Sequence, residues 1–214
     1  MTDYSIDLEQ YILDHIDDEE PILQELNRQT HIQMLQPRML SGHVQGKILK
    51  MLVQMMNPLN ILEIGTFTGY SAISMALGLQ KEGAVIDTIE INDENEEFIQ
   101  SFIDKAEMHQ TIQLHIGSAL DIIPQLDKQY DLVFMDGDKR QYRRYYELIF
   151  DKLNTGGYIL ADNVLWDGKV VEELHPNDAY TKEILAFNQM VKEDARVEKV
   201  ILPFRDGISL IRKK

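Results

Sequence analysis

Residues 60–71 read NILEIGTFTGYS and decide the fold. The apolar run at the start predicts a buried strand over 60–64, and a helical pattern begins at Tyr70 and continues to residue 79. Between them, Gly65 and Gly69 permit backbone dihedrals and close approaches that a Cβ would forbid. A strand, a glycine turn and a helix in this order are typical of α/β proteins.

Strand and helix patterns alternate outward from this stretch. Strands are predicted at 60–64, 84–90, 112–116, 130–135, 158–161, 197–202 and 207–212. Helices are predicted at 7–16, from Pro21 onward, and at 43–56, 70–79, 93–106, 142–153 and 178–191. The last two strands are too close together for a helical crossover, so one of them must be antiparallel. We therefore predict a Rossmann-like α/β fold, with a seven-stranded, mostly parallel sheet, one antiparallel strand and helices on both faces.

The bulk composition limits the class of protein. The chain has 214 residues, enough for one domain, and we predict a single domain over 1–214 with an N-terminal helical extension, 1–57, and an α/β core, 58–214. No signal peptide or membrane-spanning run is recognisable, which predicts a cytoplasmic protein with no membrane partner. The absence of cysteine excludes a disulfide framework and a catalytic thiol. The formal charge of −15 argues against general nucleic-acid binding.

The residues that follow each strand are the candidates for a binding site, because open α/β sheets bind ligands at the carboxyl ends of their strands. The second strand ends at Glu90, 21 residues after Gly69, where a carboxylate can accept hydrogen bonds from both hydroxyls of a ribose. The loop from Glu63 reads E-x-G-x-x-x-G and lacks the G-x-G-x-x-G of dinucleotide sites. These features predict a nucleoside cofactor. The structural alternative to a cofactor site is an ordinary turn beside a surface glutamate. The functional alternative is an oxidoreductase that binds NAD.

Polar side chains also follow the fourth and fifth strands. Asp136 comes after one and Asp162-Asn163 after the other, and neighbouring strands would bring all three around one point. Oxygen donors without cysteine suit a hard cation such as Mg²⁺ that keeps open positions for water or substrate. Asp-Gly and Asp-Asn are also ordinary turn sequences. On the residues alone, both interpretations stay open.

Several motifs resemble those of a known enzyme family. The loop at 63–69 resembles the first motif of class I S-adenosylmethionine methyltransferases, Glu90 resembles their ribose-binding acid, and residues 117–119 resemble their adenine-flanking loop. Residues 39–212 are similar to the catechol and caffeoyl-CoA O-methyltransferase family, in its bacterial, cation-dependent branch. The matching segments are 62–65, 68–71, 134–139, 161–168 and 206–207.

The resemblance implies roles for individual residues. It implies a divalent metal ion, Mg²⁺ or else Mn²⁺ or Ca²⁺, bound by Asp136, Asp162 and Asn163. It implies S-adenosylmethionine bound by Ser41, Glu63, Gly65, Thr66, Ser71, Glu90, Ala119 and Asp136. Lys139 matches the catalytic lysine, and the implied substrate contacts are Asp136, Lys139, Trp166 and Asp167. Asp167 stands where plant members often carry Asn, and their acyl-CoA-binding N-terminal segment is not recognisable, so the substrate stays open.

The chemistry of a metal-assisted methyl transfer can be argued from charge. A phenol with a pKa near 10 is only about 0.1% ionised at pH 7, so its hydroxyl needs activation. A metal ion that touches the oxygen lowers its pKa, and Lys139, partly desolvated beside the cation, is expected to have a lowered pKa and to accept the proton. The oxyanion then attacks the sulfonium methyl group. A solvated lysine at a helix start is the alternative for Lys139.

Metal chelation favours an acceptor with two adjacent oxygens. A small aromatic diol of the catechol type has them, and so does 5-hydroxyuridine in tRNA. The predicted helix after the metal site offers a basic patch for tRNA, although the same residues could form solvated ion pairs or a dimer contact. This basic patch consists of Lys139, Arg140, Arg143 and Arg144. A non-catalytic S-adenosylmethionine-binding protein is a third hypothesis, and the apolar N-terminal helices would suit a homodimer.

Overall fold

The computed structural model describes residues 6–214 and confirms the predicted α/β fold. The strands are β1 Asn60–Ile64, β2 Val85–Glu90, β3 Ile112–Ile116, β4 Tyr130–Met135, β5 Leu153–Ala161, β6 Val197–Leu202 and β7 Ile208–Lys213. They form a seven-stranded sheet in the order β3-β2-β1-β4-β5-β7-β6. β7 runs antiparallel to both β5 and β6, as the short connection between the last two strands predicts.

The helices of the described residues follow the predicted pattern with shifted ends, except for the short helix Ala119–Ile122, which the sequence did not indicate. They are α1 Ile6–Leu13, α2 Pro21–Gln33, α3 Gly42–Met56, α4 Tyr70–Ala76, α5 Glu96–Lys105, α6 Ala119–Ile122, α7 Tyr142–Phe150 and α8 Ala179–Glu193. Two 3₁₀ segments, Lys139–Gln141 and Trp166–Val171, lie in the loops that carry site residues. Within residues 6–214, no helix is both long and apolar enough to cross a membrane.

β5 begins earlier than the sequence predicts, at Leu153 instead of residue 158. Tyr130 pairs with Leu153, whereas Leu132 pairs with Tyr158, so β5 contains an irregular stretch between its two paired parts. Gly156 lies in this stretch with a φ of 82°. Because glycines end an apolar strand pattern, the sequence indicates only the second part of the strand.

The fold divides into two compact units, each assembled from separate parts of the chain. We call residues 60–65 and 118–214 the C-terminal unit, and residues 6–59 and 66–117 the N-terminal unit. The predicted single domain, with its boundary between residues 57 and 58, stays a prediction.

The C-terminal unit contains β1 and β4–β7. β1 pairs with β4 and β4 with β5, all in parallel, so their carboxyl ends lie along one edge. Residues 132–135 of β4 are all fully buried. Because alternate residues of a strand face opposite sides, both faces of this part of the sheet are covered.

The N-terminal unit contains α1–α5 with the parallel pair β2 and β3. Two polar contacts attach α2 and the residue before it to other parts of this unit. The carboxylate of Glu20, just before α2, accepts hydrogen bonds from Lys47 and Lys50 of α3 at 3.1 and 2.5 Å. The hydroxyl of Thr30 in α2 donates to the hydroxyl of Thr68 in the loop at 63–69, which we call the glycine loop. Both residues are fully buried.

Candidate active site

Two carboxylates follow neighbouring strands of the C-terminal unit. The N–H of Asp136, just after β4, donates to the carbonyl of Ile64 at 2.8 Å, and the N–H of Asp162, just after β5, donates to the carbonyl of Met135 at 3.0 Å. The sheet pairing thus continues one residue beyond the strands, and it fixes the backbone of both aspartates. Asn163 comes next, with a left-handed φ of 57°, and its N–H donates to the Asp162 carboxylate at 2.8 Å.

Lys139 lies in contact with the first of these carboxylates. Its Nζ is 2.5 Å from Oδ1 of Asp136 and 2.8 Å from the hydroxyl of Tyr142, and the residue is only 7% exposed. Lys139 begins the 3₁₀ segment that Asp138 caps, and it lies three positions after Asp136 in the chain.

Burial and neighbouring charges have opposite effects on the pKa of Lys139. Burial alone would lower the pKa of its ammonium group, because desolvation disfavours the charge. Asp136, Tyr142 and Asp162 outweigh burial and raise the pKa of this lysine well above its usual range. In these surroundings the charged neighbours act more strongly than desolvation. The lowered pKa is predicted for Lys139 beside a bound cation, and it stays a prediction.

Lys139 and Asp162 also affect the pKa of Asp136. Burial raises the pKa of the Asp136 carboxyl to about 6; Lys139 opposes the rise and Asp162 adds to it. Asp206 belongs to the same electrostatic group, because burial raises its pKa and the carboxylates of Asp162 and Asp167 add to that rise.

The residues at the strand ends fit a divalent cation. Lys139 and Arg205 act electrostatically on Asp136, and the carboxylates of Asp162 and Asp167 lie close enough to that of Asp206 to interact with it. In the part of the chain that the structure describes, no three His, Cys, Asp or Glu side chains are clustered as metal ligands. Two carboxylates with the Asn163 amide and water are nevertheless a donor set of the kind Mg²⁺ prefers.

The loop after Asn163 carries the predicted substrate residues Trp166 and Asp167. Both have left-handed φ values, 46° and 55°, and the carboxylate of Asp206 accepts the N–H of Asp167. The backbone of Asp206 and Gly207 also accepts the N–H groups of residues 165 and 164, at 2.9 and 3.1 Å. The ring of Trp166 stacks on Tyr180, with centroids 5.6 Å apart. The turn before β7 therefore holds this loop in an otherwise unfavourable backbone conformation.

The start of the glycine loop belongs to the C-terminal unit. Gly65 has a φ of 99°, and a Cβ added to it would lie 2.5 Å from the carbonyl oxygen of Asp136. Glycine is thus required both by the dihedral and by the close approach of the two chain segments. Glu63, in β1, is fully buried, and Ala119 begins α6 and is buried.

The remaining predicted cofactor residues lie in the N-terminal unit. The carboxylate of Glu90 accepts the N–H of Phe67 at 2.7 Å and the N–H of Asn92 at 2.9 Å, which holds the loop after Thr66 against the end of β2. Burial raises the pKa of Glu90, although these backbone hydrogen bonds oppose the rise. Thr66 and Ser71 are buried, and Ser41 precedes α3.

The structure brings the proposed metal and substrate residues together in one unit, and the cofactor set is divided between the two units. Tyr142, to which the sequence assigned no role in the site, contacts Lys139 directly. The three-residue spacing of Lys139 and Tyr142, close to one helical turn, is the signal that could have identified it.

Two arginines of the basic patch are already engaged in ion pairs. Arg140 contacts Asp138 at 2.8 Å, and Arg143 contacts Glu183 at 2.9 Å. The alternative of solvated ion pairs is therefore confirmed for these two residues, and their charge is largely balanced by neighbouring acids.

Comparison with known proteins places the chain among methyltransferases. The sequence model of the family described as O-methyltransferase matches residues 13–214. Caffeoyl-CoA O-methyltransferase 5 of Nicotiana tabacum is 37% identical over 183 residues, which cover 79% of this chain and 75% of the relative. The solved O-methyltransferase from Bacillus cereus in complex with SAH has a TM-score of 0.91 at 29% identity, with 97% of each chain covered. The solved O-methyltransferase TomG from Streptomyces achromogenes in complex with SAM has a TM-score of 0.90 at 28% identity, covering 97% of this chain and 96% of TomG.

Proposed function

Since this chain belongs to the O-methyltransferase family, we propose that it transfers the methyl group of S-adenosylmethionine to a hydroxyl with a neighbouring oxygen, on a small aromatic acceptor of the catechol type. We further propose that a divalent cation, Mg²⁺ in the first place, is held by Asp136, Asp162 and Asn163. The observation that carries the proposal is the contact of Lys139 with Asp136, beside Asp162 on the neighbouring strand end.

The cofactor assignment rests on the glycine loop and Glu90. SAM and SAH are bound by two of the structural relatives, which supports S-adenosylmethionine as the methyl donor. We propose that the Glu90 carboxylate accepts hydrogen bonds from the ribose hydroxyls, because backbone N–H groups on Phe67 and Asn92 already hold it in place. The buried carboxylate of Glu63 suits the cationic end of the donor, since a buried charge is stabilised by an opposite one.

A bound cation would lower the pKa of a hydroxyl group whose oxygen it contacts. We place Lys139 at the acceptor hydroxyl. Nζ lies 2.5 Å from the Asp136 carboxylate, so we propose that the ammonium group donates a hydrogen bond to the acceptor oxygen as negative charge develops there. The proton leaves to water, the oxygen attacks the methyl carbon, and the carbon–sulfur bond breaks to release S-adenosylhomocysteine. A general-base role for Lys139 would first require the ammonium to lose a proton.

Methyl transfer from labelled S-adenosylmethionine tests the proposal directly. We expect label to move to catechol or to a caffeoyl ester, to be lost with EDTA and to return with Mg²⁺. Undermodified tRNA is the second acceptor to include, although the ion pairs of Arg140 and Arg143 weigh against it. Transfer to tRNA alone would contradict the aromatic acceptor. Binding of the donor without transfer to any acceptor would favour a non-catalytic S-adenosylmethionine-binding protein.

Variants of Lys139 separate the two roles of this residue. Lys139→Ala should lower kcat strongly and leave donor affinity unchanged, while the exposed Lys182→Ala is the control for the loss of a lysine. Lys139→Arg keeps a cation but cannot act as a base, so partial activity in this variant supports the stabilising role. Complete loss in Lys139→Arg, at an unchanged melting temperature, would support the general base instead.

Metal binding has a readout that does not depend on activity. Mn²⁺ titration followed by electron paramagnetic resonance should show one tight site in the unchanged protein. Asp162→Ala should abolish it, and Asp127→Ala, a carboxylate change outside the strand ends, should leave it intact. Equal Mn²⁺ binding by the two variants would overturn the ligand assignment.

A further inference from the structure

The hydroxyl of Tyr142 contacts three groups at the strand ends of the C-terminal unit. It lies 2.8 Å from Nζ of Lys139, 3.0 Å from the carbonyl oxygen of Met135 and 2.9 Å from the carbonyl oxygen of Asp162. Tyr142 is fully buried at the start of α7. Its hydroxyl therefore joins a lysine side chain to the backbone at the ends of β4 and β5.

The direction of these hydrogen bonds follows from the chemistry of the partners. An ammonium group has donors only, so the tyrosine oxygen must accept from Lys139. The single hydroxyl proton is then left for the two carbonyl oxygens, which can only accept. The carbonyl of Met135 also accepts the N–H of Asp162 at 3.0 Å, so its position is fixed by the sheet.

The tyrosine ring is itself held in place. It packs edge-on against Phe187 of α8, with centroids 5.3 Å apart, and Nζ of Lys139 is 5.0 Å from its centroid. A tyrosine has two side-chain torsions and a lysine has four, so the ring is much the more rigid of the two. Asp136 holds one side of the ammonium group, and the Tyr142 hydroxyl supplies a second, fixed contact.

We propose that Tyr142 is a positioning residue for Lys139, which it aligns with the strand ends that carry Asp136 and Asp162. This inference rests on the proposed function in so far as Lys139 is placed at the acceptor. Tyr142 acts through the lysine and need not touch the substrate. Its loss should therefore impair turnover by misplacing Nζ, without weakening the binding of the methyl donor.

The chain offers a matched control in Tyr146, one helical turn later. Tyr146 is also buried, and its ring also packs edge-on against Phe187, with centroids 6.1 Å apart. Its hydroxyl donates to the carboxylate of Asp194 at 2.9 Å, away from Lys139. Tyr146→Phe thus removes a buried tyrosine hydroxyl from the same helix while the lysine contact remains.

The kinetic experiment compares Tyr142→Phe and Tyr146→Phe in two backgrounds, the unchanged protein and Lys139→Ala. Misplacement of a reacting group by about 1 Å can lower the rate by about a hundredfold, so we expect Tyr142→Phe to lower kcat by about ten- to a hundredfold. KM for the donor should stay unchanged, and Tyr146→Phe should keep its activity. In the Lys139→Ala background, Tyr142→Phe should cause no further loss. Equal effects of the two tyrosine variants, or a full additional loss in the Lys139→Ala background, would overturn the inference.

A second measurement tests the inference without relying on catalytic activity. The ¹⁵N-labelled ammonium group of Lys139, assigned by its absence in Lys139→Ala, should exchange its protons slowly and show nuclear Overhauser contacts to the Tyr142 ring. Fast exchange is expected in Tyr142→Phe and slow exchange in Tyr146→Phe. Absence of the ring contacts in the unchanged protein would reject the inference even if Tyr142→Phe failed to fold. A protein that shows these contacts but transfers no methyl group would contradict the proposed function and leave the contact standing.

Discussion

The carboxylate of Asp206 accepts the backbone N–H of Asp167, a residue 39 positions earlier in the chain. This hydrogen bond holds a turn in which Trp166 and Asp167 both have left-handed backbone dihedrals. The residues proposed to contact the acceptor thus owe their conformation to a side chain on a different loop.

Removal of that carboxylate should therefore impair acceptor binding. Asp206→Ala removes the acceptor of the Asp167 N–H, and because Asp167 is exposed to water we expect a loss of only about 0.5–1.5 kcal/mol in the free energy of unfolding. KM for the acceptor should rise several-fold, while donor affinity stays unchanged in calorimetry. Asp206→Asn retains an oxygen acceptor and is the control. An unchanged acceptor KM in Asp206→Ala would show that the turn keeps its conformation without the carboxylate.

A methyl group at Gly65 should be poorly tolerated. Gly65→Ala combines a positive φ with a Cβ 2.5 Å from the carbonyl oxygen of Asp136, so a loss of about 3 kcal/mol or more is expected in urea unfolding. Gly83→Ala separates the two causes, because Gly83 has a φ of 74° but nothing within 4 Å of the added Cβ. Its loss should be only about 1 kcal/mol. Equal losses would mean that the close approach to Asp136 is relieved at little cost.

The raised pKa of Glu90 predicts a pH dependence of donor binding. Burial raises this pKa, and the proposed hydrogen bonds from the ribose hydroxyls require the ionised carboxylate as acceptor. Donor affinity should therefore fall as the pH decreases through the raised pKa of Glu90. Glu90→Gln should bind more weakly at pH 7, with a flatter pH profile, in calorimetric titrations with S-adenosylhomocysteine. Parallel profiles for the two proteins would assign the pH dependence to another group.

The ion pairs of Glu20 predict a pH-dependent contribution to stability. Burial alone would raise the pKa of Glu20, but hydrogen bonds from Lys50 and Lys47 outweigh it and lower the pKa from 4.5 to about 2. A lowered folded-state pKa stabilises the fold above the unfolded value, and the contribution is lost as the pH falls from 4.5 toward 2. Because Glu20 is partly exposed, solvent screening reduces the stabilisation that this pKa shift would imply. Glu20→Gln should therefore lower the free energy of unfolding by about 1–2 kcal/mol at pH 7.

The control for Glu20 is a second glutamate in the same unit. Glu25 contacts Lys105 at 2.5 Å, but both side chains are about half exposed, at 46% and 50%. Exposed pairs contribute little, so Glu25→Gln should change the stability by less than about 0.5 kcal/mol. Denaturant unfolding at pH 7 and pH 3 checks both variants. A pH-independent effect of Glu20→Gln would show that packing, not charge, accounts for it.

The sequence predicts most of the sheet because buried strands are recognisable as runs of apolar residues. It misses the first part of β5, since Gly156 interrupts that run at a bulge. It identifies Asp136 and Asp162 as strand-end residues, because their place follows from the strand pattern. The pKa of Lys139 could not be predicted in this way, because its direction depends on which of two opposing effects, burial or the nearby carboxylates, is stronger in three dimensions.

The position of β7 has a consequence for the order of assembly during protein synthesis. β7 follows β6 in the chain, yet it lies between β5 and β6 and hydrogen-bonds to both. While residues 208–213 are still in the ribosomal tunnel, β6 has no strand to pair with, and the turn at Asp206 has no fixed place from which to hold Asp167. We therefore expect a nascent chain to pair its parallel strands first and to order the loop at Trp166 and Asp167 only after residues 208–213 have emerged, which makes this a late and non-local step of folding.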